Sequence, residues 1–284
     1  MTPLNSWLRR VRRTLRVCLV SSLLLVMWSF IQGVVSLQRP LIAGLALVVV
    51  TMLFVWWHWL RPARLRRRRG PADLRLRKIP RAAVRPLAGG IVVTGIALEA
   101  MFLLHLRLLP VPAEDPFAEM FAMANEPWGW LPLFLLIVVL APIIEETVFR
   151  GWIQRPLERL WGPAPAVGIT ALLFALVHFI PEYLPYYFVV GLLLGTLVVL
   201  TRSLWASIAL HTANNVQSMA LMFLGGGDFA EEIAVAQLPA VTVASTLVLI
   251  GAGLFLSRTA RQLRAIVRPP RPAVSSRVSQ PELA

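Results

Sequence analysis

Apolar residues fill this chain in long unbroken stretches, not in the alternating or one-face stripes of a soluble domain. Such stretches occupy about 17–37, 41–60, 86–109, 131–149, 165–180, 184–201, 203–223 and 238–257. Most reach the roughly 17–25 residues a helix needs to cross a bilayer. The pattern predicts an all-α fold, a polytopic membrane helix bundle of about eight transmembrane helices. The stretches 165–180 and 184–201 are short and separated only by PEYL, so their limits are the least sharply marked. Pro40, Pro86, Pro110, Pro132, Pro165, Pro181 and Pro239 fall at turns or in first helical turns, where a missing N–H does no harm. The run 17–37 follows a basic segment but is longer than a signal-peptide core. It ends in SLQRP without a small-residue cleavage site, so it reads as the first spanning helix.

Composition agrees with this reading. Hydrophobic residues make up 57% of the 284 positions and charged residues 15%, against about 25% charged in soluble domains. The net charge of +14 would suit a nucleic-acid partner if it formed one patch, but the basic residues bracket the apolar runs instead. With eight spans, every Lys and Arg except Arg39 and Arg107 falls on the face that carries both termini. The opposite face collects Glu114, Asp115, Glu119, Glu126, Asp228, Glu231 and Glu232. That split predicts cytoplasmic termini and excludes nucleic acid as the reason for the charge. The basic loop 61–85 is expected to touch anionic lipid headgroups, at about 1 kcal/mol per basic residue, although a role in setting topology explains it fully. Lys78 is the sole lysine among many arginines, a usage typical of GC-rich genomes and hence of a bacterial cytoplasmic membrane. A single cysteine, Cys18, leaves no intrachain disulfide.

The chain thus divides into a basic N-terminal tail (1–16), N-terminal membrane helices with the basic loop (17–130), a core rich in polar motifs (131–223), an outer loop with the last span (224–257), and a basic, proline- and serine-rich tail expected to be disordered (258–284).

Candidate chemistry lies in the core, where polar side chains interrupt the apolar helices. Glu145, Glu146 and Arg150 share one run, His178 closes ALLFALVH, and His211, Asn214 and Asn215 sit in LHTANN. Charged groups at membrane depth cost roughly 2.5–3.5 kcal/mol each on insertion scales, so they are rare there without a function. Glu146 and Arg150 are i,i+4 neighbours and can form an ion pair, while Glu145 points about 100° away. One carboxylate is then neutralised and the other is left as a general base. His211 and Asn215, again i,i+4, can both donate to a developing oxyanion. Asn214, at i+3, competes with Asn215 for that place. Depth imposes a condition: the helix carrying Glu145 must continue past Arg150 to about residue 160, with a bend near Pro156. Only then do Glu145 (about 22 Å from that end) and His178 (about 20 Å along the next helix) reach one layer.

These segments resemble the signatures of the CPBP family of intramembrane glutamic endopeptidases, also called the CAAX-processing and bacteriocin-processing (Abi) family. EExxxR stands here as Glu145-Glu146-Thr147-Val148-Phe149-Arg150, FxxxH as Phe174 to His178, and the third motif as His211 with Asn215. The resemblance covers roughly 131–223. It implies catalytic roles for Glu145 and His178, which activate a water, and for His211 and Asn215, which stabilise the oxyanion. Glu146 and Arg150 support them. The substrate it implies is a membrane-associated protein or peptide. No cofactor is implied.

Other readings compete with this one. Glu145, His178 and His211 could form a His-His-Glu zinc site, but HExxH is absent and Asn215 would be superfluous. Buried carboxylates and histidines also relay protons in transporters, but no internal repeat is evident. A non-catalytic scaffold or immunity protein could retain the same motifs. Taken singly, a Glu-Arg pair, a helix-end His or an Asn is commonly interhelical glue, and Phe174 is expected to serve packing. His58 and His105 are expected at the membrane interface. Glu99, about 20 Å into its span, either supports the site or lines the substrate route, or simply pairs with another helix. The oligomeric state is not legible in the sequence.

Overall fold

The computed structural model describes residues 8, 11, 12, 75–118, 130–224 and 229–267. The expected spans 17–37 and 41–60, His58, residues 61–74 of the basic loop and the tail beyond 267 lie outside the described residues. Within them every regular element is helical. We number the helices α1 (Arg81–Leu108), α2 (130–161), α3 (Pro163–Leu176), α4 (Leu184–Thr201, entered through a 3-10 turn at Pro181–Tyr183), α5 (Leu204–Leu224), α6 (Phe229–Ala236) and α7 (Pro239–Val267).

Three of them are long and apolar enough to cross a membrane: α1, α4 with its entry turn, and α7. The 28 residues of α1 extend about 42 Å, beyond the roughly 30 Å of hydrocarbon, so Arg81 and Arg85 mark one end and Arg107 the other. The chain is therefore an integral membrane protein. α3 is apolar but has 14 residues, and α2 and α5 carry the polar motifs. The described residues accordingly do not establish the count of about eight spans. α7 runs to Val267, so residues 258–267, assigned on sequence to a disordered tail, are helical. Thr259 and Leu263 lie four apart on a buried face, and Leu263 packs with Ala83 and Leu87 of α1. A buried face hidden among arginines decides the matter.

α2 is one continuous run with two widened stretches. Leu135–Leu140 and Thr147–Gln154 are π-helical, and they flank the α-helical turn Ala141–Glu146. Each ends just before a proline, Pro142 or Pro156. A proline has no N–H for the carbonyl one turn back, and its ring pushes that carbonyl aside, so the ladder slips to i,i+5. Beyond Gln154 the helix resumes at Arg155–Trp161. Gly162 stops it at φ 84°, a backbone angle that L residues rarely adopt, and Pro163 opens α3. The helix therefore continues well past Arg150, as the site requires.

α3 and α4 approach closely because Gly191 carries no side chain; a Cβ there would lie 2.8 Å from Ala171 Cα. The start of α5 is tied to the end of the basic loop, with Leu204 N–H donating to Arg75 O (2.9 Å) and Ser203 Oγ to Arg77 O (2.7 Å). Arg75 also pairs with Glu158 near the end of α2. Between these helices Leu98, Ile144, Phe149, Phe174, Leu194 and Leu210 form the main apolar core around the polar motifs.

Candidate active site

Glu146 is the hub of a fully buried polar cluster. Its Oε1 accepts from Arg150 Nη1 at 3.0 Å and from His211 Nδ1 at 3.0 Å, and its Oε2 accepts from Ser207 Oγ. The expected Glu146–Arg150 pair is thus present, with both side chains at 0% exposure. Arg150 also donates to Gly191 O at 3.1 Å and lies 4.7 Å from the Phe174 ring centroid. Such a pair tolerates burial because hydrogen bonds and an aromatic face replace lost water.

Glu145 stands apart, as its position one residue along the helix demands. Its Oε2 is buried without a hydrogen-bond partner and lies 3.9 Å from His211 Nε2. That separation is too long for a hydrogen bond and short enough for one bridging water. His211 is held by Glu146 on one nitrogen and faces Glu145 with the other.

His178 follows the last turn of α3. Its Nδ1 lies 2.7 Å from Phe174 O. A carbonyl only accepts, so Nδ1 carries the proton and Nε2 of the neutral ring is an acceptor. The ring stacks on Tyr187 of α4 at 3.9 Å. Phe179, directly after it, takes a left-handed φ of 55° that turns the chain toward Pro181. Phe174 touches both histidines, with ring centroids 4.8 Å from His178 and 5.8 Å from His211, so its packing joins the end of α3 to α5.

Asn215 reaches α2 through the π-helical stretch. There Ala141 N–H bonds Leu136 O, five residues back. The next donor in that register would be Pro142, which has none, so Ile137 O is left over. Asn215 Nδ2 donates to it at 2.9 Å, which leaves a second amide N–H free. Of the two adjacent asparagines, Asn215 is the one bonded to α2.

Sequence reasoning missed Ser207, Tyr187 and the second role of Glu146. Ser207 was legible, since Ser207, His211 and Asn215 recur every four residues on one face of α5. His105, expected at an interface, is buried at 5% exposure against the Tyr183 ring. No group of three or more His, Cys, Asp or Glu placed so as to hold a metal ion occurs among the described residues.

The assembly is that of a polytopic helical membrane protein with a Glu-His-Arg-Asn cluster drawn from α2, the end of α3 and α5. Residues 127–217 match the family described as type II CAAX prenyl endopeptidase Rce1-like. UPF0177 protein YbdI of Lactococcus lactis subsp. lactis (strain IL1403) is 36% identical over 95 residues, which are 32% of this chain and 50% of that protein. The chain therefore spans about half the length of the curated relative it matches. No solved structure matches it. The family match falls on the segment that carries the three motifs, and over that segment the chain is similar to the CAAX protease family.

Proposed function

We propose that this protein is an intramembrane glutamic endopeptidase that hydrolyses a peptide bond of a membrane-associated protein or peptide. The observation that carries the proposal is the unpartnered Glu145 Oε2, set 3.9 Å from His211 Nε2 beside an already neutralised Glu146–Arg150 pair. Glu145 takes a proton from a water that His178 Nε2 helps to hold, and the resulting hydroxide attacks the scissile carbonyl. His211 Nε2–H and the free N–H of Asn215 donate to the oxyanion. Collapse of the tetrahedral intermediate passes the proton from Glu145 to the leaving amine.

In this reading the water is activated without a metal or other cofactor. The basic face is cytoplasmic, and the substrate is cut within the bilayer layer that Glu145 occupies in a bacterial cytoplasmic membrane. The name of the matched family makes C-terminal peptides of prenylated proteins the first substrates to test. The test is a comparison of protein termini in membranes from wild-type and Glu145→Gln cells, repeated with a strong chelator. Termini lost in the variant and retained with chelator support the proposal. No change in any terminus refutes it, and loss with chelator refutes the metal-free mechanism.

A further inference from the structure

Glu99 is a second carboxyl at membrane depth, and the chemistry above does not use it. It projects from α1 toward α4 and α5, half-buried, with the Gln217 side chain of α5 as its hydrogen-bond partner. Gln217 is itself locked in place, because its Nε2 donates to Gly95 O at 3.0 Å. A Cβ at Gly95 would collide with Gln217 Oε1, so the bare glycine makes room for the amide that holds Glu99. On α4, Tyr186 lies within the field of the Glu99 carboxyl. Tyr186 packs edge-on against Tyr187 at 5.7 Å, and Tyr187 stacks on His178. Two rings therefore separate Glu99 from the proposed catalytic histidine.

What this carboxyl lacks among the described residues is a cation. Among the described residues no Lys, Arg or His pairs with it. The charged group within its reach is another acid, Glu232 of α6, which in turn faces Asp115. An amide supplies a hydrogen bond but no charge, and a buried carboxylate without a countercharge is strongly disfavoured. Glu146, by contrast, has its arginine inside the protein.

We infer that Glu99 is a substrate-binding, specificity-determining carboxylate that receives a basic side chain, the ammonium of Lys or the guanidinium of Arg, flanking the scissile bond. The substrate brings the missing cation, and Gln217 with Gly95 keeps the carboxylate aimed at it. This inference rests on the protease reading.

The experiment separates the two. Termini that disappear in Glu145→Gln membranes define the substrates. Peptides spanning those sites are then made with each flanking Lys or Arg retained, or changed to Gln or Glu, and are given to full-length wild type, Glu99→Gln and Glu99→Lys in lipid bilayers. Glu99→Gln keeps a hydrogen-bonding partner for Gln217, so folding is retained. Expected for wild type is a preference of about tenfold or more in kcat/KM for the basic peptide at one position, carried mainly by KM. The preference vanishes in Glu99→Gln and reverses toward the Glu peptide in Glu99→Lys. An identical preference in all three proteins overturns the inference, as does a change confined to thermal stability. Loss of no termini in Glu145→Gln overturns the protease reading instead.

Discussion

Replacing Arg150 with Met tests the electrostatics of the cluster most directly. The substitution keeps an unbranched side chain of similar reach and removes only the guanidinium. Three interactions go with it: the 3.0 Å pair to Glu146, the 3.1 Å bond to Gly191 O, and the stacking over Phe174 at 4.7 Å. Because Glu146 is wholly inaccessible to water, it would be left as a buried, uncompensated charge, a loss of about 3–5 kcal/mol. The aromatic contact adds roughly 0.5–2 kcal/mol. Removing both charges in Glu146→Gln/Arg150→Met eliminates the stranded carboxylate, so the double variant is expected to be more stable than Arg150→Met alone by at least about 2 kcal/mol. The measurement is reversible unfolding of purified protein in detergent or bilayers, as a double-mutant cycle. Both variants should be inactive, since Glu146 also orients His211. An Arg150→Met loss under about 1 kcal/mol, or strictly additive effects, would refute the claim that this pair is buried and mutually dependent.

Four further outcomes follow from particular contacts. Pro142→Ala restores an amide that can bond Ile137 O and so releases Asn215; proteolysis should fall while unfolding stability holds or rises, and unchanged activity would detach Asn215 from the oxyanion. Gly191→Ala drives a methyl into the α3 backbone, so unfolding should show a loss of about 1–3 kcal/mol; Gly195→Ala meets side chains and no backbone, Gln154 Oε1 at 2.8 Å and Val167 Cγ1 at 3.2 Å, and should cost less. Glu232 is exposed, but partial desolvation of its carboxyl by the surrounding protein, with the nearby Glu99 and Asp115 carboxylates, pushes it above its usual range. Its charged form is therefore penalised in the native state, and stability is lost as pH rises through that range, so Glu232→Gln should raise the unfolding temperature near neutral pH and have little effect in acid. Ser207→Ala removes one bond to Glu146 and should lower kcat more than KM, and an unchanged kcat would make Ser207 merely structural.

Much of the site could be read along the chain because its logic is local. The i,i+4 spacing of Glu146 and Arg150, and of His211 and Asn215, is a property of one helix, and the polar groups stand out against apolar surroundings. The membrane character and the need for α2 to pass Arg150 came from helix rise and bilayer thickness alone. The helical extension to Val267 was not legible because arginines surround its two buried positions, Thr259 and Leu263.

What the sequence by itself determined is which residues share a helix face and which of them lipid would not tolerate alone. Only the tertiary structure decided who pairs with whom across helices. Glu146, not Glu145, holds His211, because α5 meets α2 on the face where Arg150 already lies. Asn215 finds Ile137 because Pro142 leaves that carbonyl without a donor, and Gln217 finds Glu99 because Gly95 leaves space for it. Each of these depends on a missing group on one helix being matched to a side chain on another. Spacing within a segment carries no information about such a match until the helices are packed.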